Sequence, residues 1–258
     1  MLEAAAAWCR RASRGVRLVN LRAIRARTFR CPLCGPSVLV RLDTGELAVR
    51  CVRCGATPIA MSLASVVRGH VPDLRRAAVY ELSARGAFHD FLRRRCRTLV
   101  VSQYVEGARC GSNVDGVRVE DVQRLTFPDD TFDLCTSTEV FEHVPDDRRA
   151  FGEVLRVLKP GGLMLFTVPI DPNATTRERA ALVEDHLVHL APPEYHHDPA
   201  SKLEPVLSFR DYGHDIVQRL RDAGFARAAI VRAPDAPWFG CERPVIAGWK
   251  DPITHPPV

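Results

Sequence analysis

Lysine is almost absent from this 258-residue chain: three of its 36 basic residues are lysine (Lys159, Lys202, Lys250) and 33 are arginine. Alanine is abundant too, and the bias reads as GC-rich coding rather than as chemistry, so the arginine count alone indicates no partner. Long apolar runs are also missing. No stretch approaches the roughly 18 residues a membrane helix needs, and the apolar start at residues 2–8 is broken by Glu3. This excludes a helical span and leads to the expectation of a soluble, non-secreted, cytoplasmic protein with no membrane partner. The nine cysteines cannot all pair: four form two tight pairs, while Cys9, Cys96, Cys110, Cys135 and Cys241 are scattered. That pattern argues against a disulfide framework and for a metal in a reducing compartment.

With 46% apolar residues, the length suits one α/β domain and a small appendage. The net charge of +5 is uneven: residues 1–60 hold 11 arginines against three acids, +8, leaving −3 for the remainder. The chain divides into a basic arm (1–30), a cysteine module (31–57), a linker helix (58–76), an α/β domain (77–250) and a tail (251–258). The arm has no proline and one glycine, which allows a helix, although its arginines face every direction. From residue 77, strand-like runs (77–82, 98–101, 116–119, 132–136, 163–168) alternate with helical patterns (87–95, 146–158), as in a parallel sheet with crossover helices. Residues 170–209, rich in Pro and His, look like an insertion. A helix over 211–223 and strands over 225–232 and 244–249 close the domain.

Cys31-Pro-Leu-Cys34-Gly and Cys51-Val-Arg-Cys54-Gly place two residues within each pair and 16 between pairs. This spacing lets four thiolates converge tetrahedrally on Zn(2+), with alternating apolar residues between them forming a β-hairpin. Such a metal is structural, and its binding can supply roughly 10–16 kcal/mol of folding free energy. Incidental cysteines or a redox pair are the alternative. A ribbon of this kind can staple a module, orient a substrate, dock a protein or bind nucleic acid.

Phe127-Pro-Asp-Asp-Thr-Phe-Asp133-Leu leads into Cys135-Thr-Ser-Thr-Glu139-Val-Phe-Glu142-His143-Val, then a helix, then Val157-Leu-Lys159-Pro-Gly-Gly-Leu163. Over roughly residues 77–250 the chain resembles the class I S-adenosylmethionine-dependent methyltransferases, of the broad type 11-like group acting on small molecules. The resemblance implies a Rossmann-like, doubly wound seven-stranded sheet preceded by the zinc ribbon. It implies S-adenosyl-L-methionine as cofactor, held beyond the carboxyl ends of the strands where strand order switches. The family's acidic residue and alternating glycines survive only as Glu81-Leu-Ser83-Ala-Arg-Gly86. Placing the first strand at Glu81 leaves about 20 residues to the end of the second, as a strand–helix–strand unit requires, whereas starting at 98–101 leaves too few before Asp121.

On that alignment Gln103 stands where the family has a ribose-binding carboxylate. Asp121, followed by Val122, matches the acid that accepts from adenine, or else caps a turn. Thr136 would lie under the cofactor. His143 and, in the insertion, His196 beside Glu194 and Tyr195 are candidate bases for methyl transfer to oxygen. For His143 the alternative is a structural hydrogen bond, and for the insertion residues a second metal site or a polar lid. The acceptor is expected to be a small molecule or glycan. RNA is an alternative, favoured by the basic N-terminal quarter but not by the ribbon, which lacks interleaved aromatics. A non-catalytic scaffold is a further alternative, motivated by the eroded glycine loop and Gln103.

Overall fold

The computed structural model describes residues 22, 24–184, 186–196, 205–234 and 238–251. Most of the basic arm, the tail after Asp251 and His197 to Pro199 lie outside the described residues. The end of the arm is a strand, not a helix: β1 (Arg25–Cys31) pairs antiparallel with β2 (Gly35–Arg41), from Arg25 opposite Arg41 to Cys31 opposite Gly35. Its first four residues, Arg25 to Thr28, are all exposed, so no alternation of buried and exposed residues marks the strand in the sequence. A short 3-10 turn (Glu46–Ala48) leads to β3 (Val49–Cys51), which returns along β2 with Leu39 opposite Cys51. Gly35 (φ +85°) and Gly55 (φ +71°) follow the second cysteine of each pair in a left-handed conformation that favours glycine.

Helix α1 (Pro58–His70) starts with Pro58 and with Thr57 capping Ala60 N. Expected as a linker, it is buried from Ala60 to Val67, and its Met61, Leu63 and Val67 share one core cluster with Leu33 and Leu39 of the ribbon and Val79, Leu165 and Val245 of the large sheet. Ribbon and α/β domain therefore share one apolar interior.

The large sheet contains β4 (Ala78–Glu81), β5 (Thr98–Gln103), β6 (Asn113–Val114), β7 (Val117–Val119), β8 (Phe132–Thr138) and β9 (Leu158–Thr167). Helix α2 (Gly86–Arg95) connects β4 to β5, and α3 (Asp147–Val157), capped by Asp146, precedes β9. The region from 170 to 213 is not irregular: it forms β10 (Ile170–Asp171), β11 (Arg177–Glu178), β12 (Ala180–Val183), β13 (His186–His189), β14 (Tyr195–His196), β15 (Val206–Leu207) and β16 (Arg210–Gly213). The following helix is shorter than 211–223 because Arg210–Gly213 is a strand; α4 spans Ile216–Asp222, before β17 (Arg227–Val231) and β18 (Val245–Trp249).

The order across the sheet is β17-β18-β9-β8-β4-β5-β7-β6. Omitting the two-residue β6, this is a doubly wound seven-stranded sheet, parallel at its centre, with β18 antiparallel to β9 and β17. From β4 the chain steps outward through β5 and β7, then crosses to β8 on the other side of β4. The switch in strand order lies between β4 and β8, and Glu81 is placed there as the end of the first strand. Lys159 to Gly162 form an irregularity within β9: Phe132 lies opposite Leu158, whereas Leu134 lies opposite Leu163.

Candidate functional site

Four adjacent parallel strands end on one edge of the sheet. At the switch point, Glu81 lies opposite Thr136 in the register, and Thr136 Oγ1 donates to Glu81 Oε2 at 2.5 Å. Glu81 is 1% exposed, and burial pushes its carboxyl up to about 8, opposed by the Thr136 bond. Beyond it the chain turns through Ser83 to Gly86, whose φ of +96° favours glycine and around which a β-carbon would meet nothing within 4 Å. Ser83 Oγ donates to Arg85 O at 3.3 Å. The loop thus keeps an approachable backbone with a single glycine.

Gln103 ends β5, opposite Val119. Asp121 and Val122 follow β7, and Asp121 Oδ1 accepts from Gln123 N (2.9 Å) and Gln123 Nε2 (3.1 Å), so this oxygen organises a local turn. Neighbouring Glu120, which sequence reasoning passed over, is buried and accepts from Arg118 Nε and from Thr126 N and Oγ1. Tyr104 is 69% exposed beside Asp121, whose charge, after burial, raises its phenol.

The opposite wall is built where the insertion meets the turn after β8. Glu139 takes a left-handed conformation (φ +50°), unusual for a residue with a side chain, and its amide donates to Thr167 O. Glu142 and His143 lie in the 3-10 turn Phe141–His143. His143 Nδ1 lies 2.9 Å from Leu207 O, and Phe209 N donates to Glu142 O. The His143 and His196 rings are 5.1 Å apart, edge to face, and His196 Nε2 lies 3.3 Å from Glu194 Oε1. Burial, and then the charge of Glu139, hold the Glu142 carboxyl well above its usual range. The structure brings His143 and His196 together. His186 and His189 stand apart on the exposed β12–β13 hairpin.

Arg210, 2% exposed, fixes this wall. It donates to Phe141 O (2.9 Å), Val144 O (2.6 Å) and Pro145 O (2.7 Å), and pairs with Glu178 at 3.0 Å. Arg243 pairs with Glu46 of the ribbon turn and, at 3.4 Å, with Glu139 Oε2, while its amide donates to Ser62 of α1. No local sequence signal could have revealed Arg210 or Arg243, whose side-chain partners lie 32 to 197 residues away.

In the ribbon, the Sγ atoms of Cys31, Cys34, Cys51 and Cys54 all lie within 4.8 Å of one another, with Cys31–Cys54 at 3.8 Å and Cys34–Cys51 at 3.6 Å. A tetrahedron of thiolates about 2.3 Å from a zinc ion has edges of about 3.8 Å. The donors fit that ion. Among the described residues, no helix is long and apolar enough to cross a membrane.

Residues 83–166 match the family model described as a methyltransferase domain. Among curated proteins, an uncharacterized methyltransferase of Mycobacterium leprae is 48% identical over 46 residues, 18% of this chain and 17% of that protein. The 2-methyl-6-phytyl-1,4-hydroquinone methyltransferase of Synechocystis is 45% identical over 47 residues, 18% of this chain and 15% of that protein. The match thus spans about a sixth of these relatives' length. Similar solved structures include an S-adenosylmethionine-dependent methyltransferase from Mesorhizobium loti (18% identity, TM-score 0.46, 72% of this chain and 96% of that one). Another is 1,6-didemethyltoxoflavin-N1-methyltransferase from Burkholderia thailandensis with bound 1,6-didemethyltoxoflavin and S-adenosylhomocysteine (18%, 0.46, 73% and 76%).

Proposed function

We propose that this chain is an S-adenosylmethionine-dependent methyltransferase that methylates an oxygen of a small-molecule or glycan acceptor, with a structural zinc ion in its ribbon. The observation that carries the reading is the buried Glu81–Thr136 pair at the switch point, with Thr136 inside the stretch 83–166 that matches the methyltransferase domain and Glu81 just before it. Glu81, Ser83 and the open backbone at Gly86 would hold the amino-acid end of the cofactor, Gln103 the ribose, and Asp121 with Val122 the adenine. A neutral Gln103 loses a charge-assisted bond to the ribose but keeps a donor and an acceptor.

The cofactor supplies an electrophilic methyl group on a sulfonium centre. This chain's residues contribute positioning and exclusion of water, which carry most of the acceleration in such a displacement. His143 and His196 stand on the acceptor side, where a neutral imidazole can take a hydroxyl proton. Four thiolates leave zinc no open position, so the ribbon metal staples the fold, and its thiolates suit a reducing cytoplasm.

One observation favours RNA as a second acceptor class: a groove of about 1470 Å³ beside the ribbon is lined by Arg27, Arg30, Arg53, Arg68, Arg94 and Arg95. Isothermal titration of zinc-replete protein with S-adenosylhomocysteine tests the cofactor reading. Saturable binding is expected, and none at millimolar ligand overturns it in favour of a scaffold. RNA binding that weakens steeply with salt would move the acceptor to RNA.

A further inference from the structure

Glu142, His143 and His196 each offer a ligand atom within 4.8 Å of the other two. Glu142 is 1% exposed, and both its carboxylate oxygens, like Glu139 Oε1, are buried with no hydrogen-bond partner. A carboxylate taken out of water without donors is costly, and a cation is a partner that offsets the loss. His143 supplies a preset ligand. Its Nδ1 faces the carbonyl of Leu207 at 2.9 Å, and because a carbonyl only accepts, Nδ1 carries the proton and Nε2 of the neutral ring keeps its lone pair. Nε2 is the atom 3.8 Å from Glu142 Oε1. A carbonyl on the far nitrogen is the usual device that orients a metal-binding imidazole.

We propose that Glu142, His143 and His196 form a divalent-cation site, separate from the four-cysteine cluster, with Glu139 as the adjoining carboxylate. Two imidazoles and a carboxylate leave coordination positions open, the arrangement of catalytic zinc and non-haem iron sites. The mixed nitrogen and oxygen donors accept Mn(2+), Fe(2+), Co(2+) or Zn(2+), whereas four thiolates select zinc. The open positions take an oxygen of the acceptor, a role that rests on the methyl-transfer reading. With the cation in place the two imidazoles would be ligands and not bases: the cation would make the acceptor hydroxyl more acidic, so that its proton leaves to water as the oxygen takes the methyl group and the sulfonium departs as the neutral thioether.

The test uses full-length protein with its ribbon filled with zinc. Titration with Mn(2+), followed by loss of the paramagnetic resonance signal of the free ion, is expected to show one ion bound per chain. Glu142→Gln and His143→Ala should each weaken binding at least about tenfold. His196→Ala, on the partly exposed β14, does the same without touching the buried turn. Absence of both Mn(2+) uptake at millimolar ion and a second zinc by elemental analysis overturns the site, as does unchanged binding in His196→Ala. S-adenosylhomocysteine titrated into the same samples reports separately on the methyl-transfer reading.

Discussion

Glu81→Gln should make the protein more stable at high pH and leave it nearly unchanged at low pH. Burial raises the Glu81 carboxyl from an ordinary 4.5 to about 8, so between these values the folded state holds a proton that the unfolded state has released. Unfolding then releases a proton, and stability falls as pH rises through this window. Each tenfold change in proton affinity is worth about 1.4 kcal/mol, giving a ceiling of about 5 kcal/mol across the window. Glutamine keeps the shape and can accept the Thr136 hydroxyl, but it never ionises. Near pH 4.5 the two proteins should therefore agree within about 1 kcal/mol, and at pH 9 the variant should be more stable by several. The assay is denaturant unfolding across the pH series, read as the difference between variant and parent so that other groups cancel. Parallel curves would refute the argument by showing that Glu81 is solvated or paired in the folded state.

Arg210→Ala should cost about 2–5 kcal/mol in denaturant unfolding, because it strips the carbonyls of Val144 and Pro145 of their donor, whereas Phe141 O keeps the Tyr212 hydroxyl and Glu178 keeps Arg219. Cys51→Ser should remove one zinc per chain by elemental analysis and lower the melting temperature, with the fall appearing also in the parent protein after chelation. Asp121→Ala should weaken S-adenosylhomocysteine binding in calorimetry, and the loss of one turn-organising acceptor should lower stability by only about 1 kcal/mol.

The sheet was legible because its evidence is local. Alternating runs and the spacing from Glu81 to Gln103 fixed the first strand, and strand order then placed Glu81, Gln103, Asp121 and Thr136 along one edge. The two cysteine pairs were legible because their spacing is short. What stayed hidden depends on long-range packing. The first four residues of β1 are all exposed, so it shows no alternation, and the strands of the insertion are two to four residues long, too short for a period to show. The Arg210 clamp and the Arg243 pairings come from contacts that no spacing encodes. Glu139 stood in the recognised motif, yet its strained backbone and unpartnered oxygen are visible only in three dimensions.

Arg243 has a consequence for how this protein can change. A single guanidinium is shared between Glu46, at the tip of the ribbon, and Glu139, at the wall of the cleft. A boundary drawn before residue 58 looks natural in the sequence but cuts through both this pairing and the apolar cluster beneath it. The cysteine hairpin is therefore not a detachable cassette. A chain trimmed to its catalytic-looking portion would carry a bared oily face and an Arg243 held by Glu139 alone, and another ribbon grafted in its place would restore the shared pairing only if it brought its own acid to position 46.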